Sequence, residues 1–159
     1  MKTGGYITIE EITAQELADF LETGLTGNMQ FAIEYEDNDY LDLVAKGMCC
    51  DEEYTTDICA KILVNGGKVK LIDIDCEGDS YGSLDKYIND DEEVEYFITI
   101  ENVKRGIERA LNGTYKVSSS EEKGNVMIAA KSIVEGDNYD YYDAYLMLQV
   151  ILFDEIIYG

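Results

Sequence analysis

The segment Asp143-Ala-Tyr-Leu-Met-Leu-Gln-Val-Ile-Leu-Phe-Asp-Glu-Ile-Ile-Tyr158 decides how the rest of the chain must fold. Leu146, Leu148, Val150, Ile151, Leu152, Phe153, Ile156 and Ile157 make it too apolar for a surface helix. Fully burying each such side chain contributes about 1.5–3 kcal/mol, whereas a native domain is stable by only about 5–15 kcal/mol in total. The segment is therefore expected to be the central element of the core or a dimer interface. Leu146 to Phe153 would also fit a central strand, because short apolar runs are ambiguous. The reading adopted is a mostly buried helix that starts at Asp140 or Asp143.

Working back from it, the chain supplies elements to surround such a helix. Tyr6 to Ile9 alternates as a strand does. Thr13-Ala14-Gln15-Glu16 is a capping box, opening a helix through Leu17, Phe20 and Leu21 that stops near Gly24. Met29–Tyr35 and Tyr40–Ala45 read as two strands of a hairpin, turned by Glu36-Asp37-Asn38-Asp39. Asp51 to Val64 has helical spacing at Tyr54, Ile58 and Ile62, and Asn65-Gly66-Gly67 ends it. Lys68–Ile74 and Val94–Thr99 alternate as strands, separated by an acidic loop from Asp75 to Glu93. Thr99 caps a helix closed by Asn112-Gly113, and Val126 to Val134 forms another that ends at Gly136. The sum is one α+β domain over residues 1–159. Its first two thirds are a largely antiparallel sheet, with helices packed on one face and a buried C-terminal helix.

Composition narrows function. The chain has 159 residues, 34 acidic and 12 basic, for a net charge of −22, and contains no His, Trp or Pro. Without imidazole, Ser-His-Asp and Cys-His sites and the His-containing metal motifs are excluded. Acids near the cysteines raise a thiol's pKa, so a nucleophilic Cys is not expected and the chain is read as no enzyme. Direct nucleic-acid binding is not expected, because phosphate affinity comes from Lys and Arg. No signal-peptide core or membrane-length apolar run is present. Cys49, Cys50, Cys59 and Cys76 fit no metal or disulfide spacing and read as free, mostly buried thiols of a reducing cytoplasm. No cofactor is expected.

Asp73-Ile-Asp-Cys-Glu-Gly-Asp79 is similar to the start of an EF-hand loop, yet its twelfth position is Leu84 and a strand precedes it. No metal is expected there. Charge is also uneven. Residues 104–131 hold six bases against three acids, a net +3, so the remainder carries −25. Many of the 13 tyrosines stand among acids, and a Tyr face receives Arg by cation–π contact. The candidate partner-binding residues are Glu36, Asp37, Asp39 and Tyr40 in the proposed turn, and Asp90, Asp91, Glu92 and Glu93 in the acidic loop. Both segments read as loops, where binding residues concentrate.

A domain of this size is roughly 39 Å across. Duplex DNA carries roughly 23 charges over that length, close to the net charge of this chain. In composition the whole chain resembles the acidic DNA-mimic inhibitors that phages and mobile elements direct against restriction and CRISPR enzymes. The resemblance implies a protein that occupies a nucleic-acid groove on a basic partner; the +3 segment departs from a uniform mimic. The alternatives are an immunity protein or antitoxin against a basic toxin, and a calcium-binding or accessory phage protein.

Overall fold

In a computed structural model the apolar C-terminal segment is a helix. The structure describes residues 12–26, 30–48, 53–135 and 139–159, with the backbone of 2–3 and 6–7. Its elements are β1 (Lys2–Thr3), β2 (Tyr6–Ile7), α1 (Ala14–Leu25), β3 (Phe31–Glu34), α2 (Asp37–Ala45), α3 (Thr55–Val64), β4 (Val69–Asp73), β5 (Lys86–Ile88), β6 (Val94–Ile98), α4 (Ile100–Asn112), α5 (Ser120–Glu135) and α6 (Tyr141–Phe153).

Asp140 caps α6 by accepting the Asp143 N–H at 2.9 Å, and every residue from Asp143 to Phe153 is buried. The helix packs against α1, α4 and α5. Two close approaches set its distance from its neighbours. A Cβ at Gly106 of α4 would stand 2.9 Å from the Ile151 Cα, and one at Gly24 of α1 would stand 2.7 Å from the Leu148 Cδ1. At its lower end Phe153 meets Phe31, Tyr81, Tyr96 and Tyr158 with tilted or edge-on rings, 5.3–6.2 Å between centroids. This arrangement suits aromatic quadrupoles.

The helix ends at Phe153, earlier than the expected Tyr158, because Asp154 turns left-handed with φ 60°. Residues 155–159 then run back along the helix as a strap. The strap solves the problem of Gln149, a fully buried amide in an apolar helix. Its Oε1 accepts the Ile157 and Tyr158 N–H groups at 2.9 and 2.7 Å, and its Nε2 donates to the Tyr158 carbonyl at 2.7 Å.

The four-stranded sheet has the order β3-β4-β6-β5 and is antiparallel throughout. Strand alternation divides it cleanly. Phe31, Val69, Leu71, Asp73, Val94, Tyr96 and Ile98 are buried on the core side. Register places Ala32, Glu34, Lys70, Ile72, Glu95 and Phe97 on the other side. β1 and β2 form a separate antiparallel pair.

Two expectations are corrected. Tyr40–Ala45 belongs to a helix, so the hairpin turned by residues 36–39 does not form, and β3 pairs with β4 instead. Asp37 and Asp39 lie in the first turn of α2, where carboxylates oppose the positive end of the helix dipole. The acidic loop from Asp75 to Glu93 contains a short strand, β5, whose Tyr87 and Ile88 are exposed. The capping box at Thr13 and the cap at Thr99 form as read, and the second is also a box, with Asn102 in the third position. Cys59 and Cys76 are free and buried; Cys49 and Cys50 lie outside the described residues, as do Thr8, Ile9, Met29, Asp51 and Gly136. Among the described residues no helix is long and apolar enough to cross a membrane.

Candidate functional site

The acidic residues singled out from sequence fall in two places. Glu36 precedes α2; on its first turn Asp37 is exposed and Asp39 half-buried, and the half-buried Tyr40 ring lies 5.8 Å from that of Tyr35. Asp90, Asp91, Glu92 and Glu93 form the turn from β5 to β6. The Asn89 side chain organises this turn: its Oδ1 accepts the Asp91 and Glu93 N–H groups, both at 3.0 Å. Glu92 is left-handed with φ 60°, and its carbonyl accepts the Gly78 N–H at 2.7 Å. The side chains of Asp90, Asp91 and Glu92 are left outside.

The sheet register sets these groups at opposite ends. Val94, just after the turn, pairs with Asp73, which pairs with Phe31 at the start of β3; Glu34, just before Glu36, pairs with Lys70. Between the two groups, on the face away from the core, stands Glu95. Its Oε2 accepts from the Asn89 Nδ2 at 3.1 Å, and its Oε1 is 3.5 Å from the Lys70 ammonium. Lys70 also lies 3.5 Å from Glu36 and 3.8 Å from Glu34. Partial burial lowers the Lys70 pKa, but the three carboxylates outweigh it and hold the ammonium above its ordinary value. A hollow of about 430 Å³ opens beside it, bounded by Glu34, Glu36, Asp39, Lys68, Lys70 and Phe97. Chemically the hollow is of mixed charge, three carboxylates against two lysines with one aromatic wall from Phe97, and Lys70 already stands as the ammonium partner of Glu34, Glu36 and Glu95. Glu34, Lys70, Asn89 and Glu95 were not among the residues singled out. Alternation along Val94-Glu95-Tyr96-Phe97-Ile98 already turns Glu95 away from the core.

Asp73 has a different fate. It is fully buried at the core-side end of β4. Its Oδ1 accepts from the Gln30 amide and its Oδ2 from the Tyr158 hydroxyl at 2.8 Å. Burial pushes its pKa up more than those two bonds pull it down. The first position of the EF-hand-like loop is thus committed to the core, and Leu84, at the twelfth, packs against the core too. Among the described residues no group of three or more His, Cys, Asp or Glu is arranged to hold a metal ion. Burial also pushes the Cys59 thiol up to about 12, which keeps it protonated and poorly nucleophilic.

No protein-family model matches the chain, and no curated protein or solved structure does either.

Proposed function

We propose that the chain is a non-enzymatic acidic inhibitor, acting in the cytoplasm, that binds a basic, nucleic-acid-binding protein surface by charge mimicry. It would be of the anti-restriction or anti-CRISPR type. The observation that supports this reading is the line of carboxylates along one side of the sheet. Glu34, Glu36 and Glu95 gather about Lys70, Asp39 stands nearby beside Phe97, and the Asn89 side chain links Glu95 to the turn that carries the exposed Asp90, Asp91 and Glu92. Ordered carboxylates on a rigid sheet present fixed negative charge, as a phosphate backbone does, to a cationic groove. In a chain of net charge −22 that face meets a basic partner with strong electrostatic steering.

The test is a binding panel of purified restriction, CRISPR and toxin nucleases, read at rising salt and with competing duplex DNA. The expected result is a partner whose affinity falls steeply with salt and is lost to DNA. Reversing Asp37 with Asp39, or Asp90 with Asp91, to lysine should slow association. A toxin nuclease as the partner would make the chain its immunity protein. A specific partner indifferent to salt and DNA would overturn the reading.

A further inference from the structure

The segment of net positive charge, residues 104–131, has no place in an acidic inhibitory face. Its fold position gives it one. Two adjoining hollows, of about 20 and 620 Å³, share Ser83, Phe153 and Asp154 as walls. Arg105 and Arg109 line the smaller; Lys116, Thr114 and Tyr115 line the larger. We propose that this groove is a binding site for a small phosphate-bearing anion, with Arg105 and Lys116 as its principal charged donors.

Three observations carry the assignment. First, acids outnumber bases 34 to 12 in this chain, so a basic side chain has carboxylates available on most sides. Arg105 and Lys116 are nevertheless exposed and have no ion pair among the described residues. Arg109, by contrast, is held by Asp154 at 3.1 Å and sits in the last turn of α4, where a cation offsets the negative end of the helix dipole. Arg109 is therefore already ion-paired, and Arg105, one turn back on the same helix face, is not.

Second, the backbone that carries Lys116 is fixed. Its N–H donates to the Asp154 carbonyl at 3.2 Å, and its carbonyl accepts the Ile156 N–H at 2.9 Å. The C-terminal strap thereby sets Lys116 at the groove wall. The Lys123 ammonium also lies over this region, about 3.1 Å from where a Gly113 Cβ would stand.

Third, the dimensions and donors suit a small ligand. Ligand pockets are commonly about 300–1,000 Å³, and the larger hollow falls inside that range. The smaller has room for about one water-sized group, such as a phosphate oxygen beside the Arg105 guanidinium. The Ser83 and Thr114 hydroxyls add neutral donors of the kind phosphates accept. The groove wall itself holds two carboxylates, Asp154, which is paired with Arg109, and Glu155, the bridge partner of Lys116, against three bases, Arg105, Arg109 and Lys116; at about 0.15 M ionic strength the Debye length is about 8 Å, so acids farther away are largely screened.

The test is an amide NMR titration of the full chain at fixed ionic strength, using inorganic phosphate, then a nucleoside diphosphate, with chloride as control. The expected result is saturable shifts at Ser83, Thr114, Tyr115 and Lys116 with phosphate, at millimolar affinity, and tighter binding of the diphosphate. The variant Arg105→Gln with Lys116→Gln should keep the native spectrum, since both side chains are exposed. It should weaken binding by about tenfold or more through loss of two charge-assisted bonds. Phosphate shifts no larger than those of chloride would overturn the proposal. So would shifts that fall elsewhere, shifts that survive in the double variant, or diphosphate binding without phosphate binding.

Discussion

The Tyr158 hydroxyl donates to the Asp73 carboxylate at 2.8 Å, across 85 positions of sequence. This bond ties the last residues of the chain to the end of β4, beneath the ring of Phe153. Gln149 fastens the same strap from the helix side. Tyr158→Phe keeps the ring among Phe31, Tyr81 and Phe153 but leaves a buried carboxylate oxygen without its donor. The expected loss is about 1–3 kcal/mol, the usual consequence of an unsatisfied buried polar group, read by denaturant unfolding. No loss in the variant would show that the strap is not fastened there.

Asp73 also gives stability a pH dependence whose sign follows from the direction of its shift. Burial raises its folded pKa above the ordinary value of 3.8. Its contribution is therefore complete below that value and is lost as pH rises through the folded pKa. Asp143, buried near Asp140, shifts in the same direction. The melting temperature should accordingly rise as neutral solutions are acidified toward the carboxylate range. Asp73→Asn removes the ionisation and should flatten that slope; an unchanged slope in melts across pH would assign the effect to other groups.

Gly106 and Gly24 make a paired test of how α6 is seated. An added methyl at Gly106 meets the Ile151 backbone Cα at 2.9 Å, which no rotamer change relieves. At Gly24 the nearest atom is the end of the Leu148 side chain, which can move. Alanine in a helix is favoured over glycine by about 1 kcal/mol, and overpacking costs about 1–3 kcal/mol. Gly106→Ala should therefore destabilise clearly, and Gly24→Ala much less. Equal thermal melts for the two would refute the close crossing of α4 and α6.

The same helix makes the C-terminus indispensable. A chain ending at Tyr142 lacks Leu146, Met147, Leu148, Val150 and Leu152, all 0–1% exposed. It should fail to melt cooperatively in calorimetry. A truncated chain that melts near the full-length temperature would make the segment a tail.

What the sequence revealed was what local chemistry decides. Thr13-Glu16 and Thr99-Asn102 form caps within one turn of chain, and the strict alternation of Val94 to Ile98 needs no distant partner to be read. Tyr40-Leu-Asp-Leu-Val-Ala45 was misread because its apolar residues fit a strand nearly as well as one helical face; acids in the first turn and burial of Leu43 decide for the helix. Lys86–Ile88 was hidden because three residues, two of them exposed, carry no period. The Asp73–Tyr158 bond joins residues 85 apart and leaves no local trace. The candidate face was legible in its acids. Its organisers, Asn89 and Lys70, become visible only once the register of β4, β5 and β6 is known.

Salt should act on the fold and on the complex with opposite signs. The net charge is −22, and self-repulsion of that size works against the compact state. The ion pairs that salt weakens most are those at the surface, such as Lys46–Asp42 at 3.0 Å, and surface pairs contribute at most about 1 kcal/mol each. Screening therefore relieves more repulsion than it removes attraction. The melting temperature should rise between about 10 and 150 mM salt, over which the Debye length falls from about 30 to 8 Å, while affinity for a basic partner falls. Asp90→Lys with Asp91→Lys separates the two effects within one molecule. Those side chains are exposed, and the turn is held by Asn89 through backbone N–H groups that the substitutions keep. The variant should melt higher than the parent at low salt, converge with it at high salt, and associate more slowly with the partner. A variant that melts lower at low salt, or a parent whose melting temperature falls as salt is added, would show that repulsion among the surface carboxylates does not limit this fold.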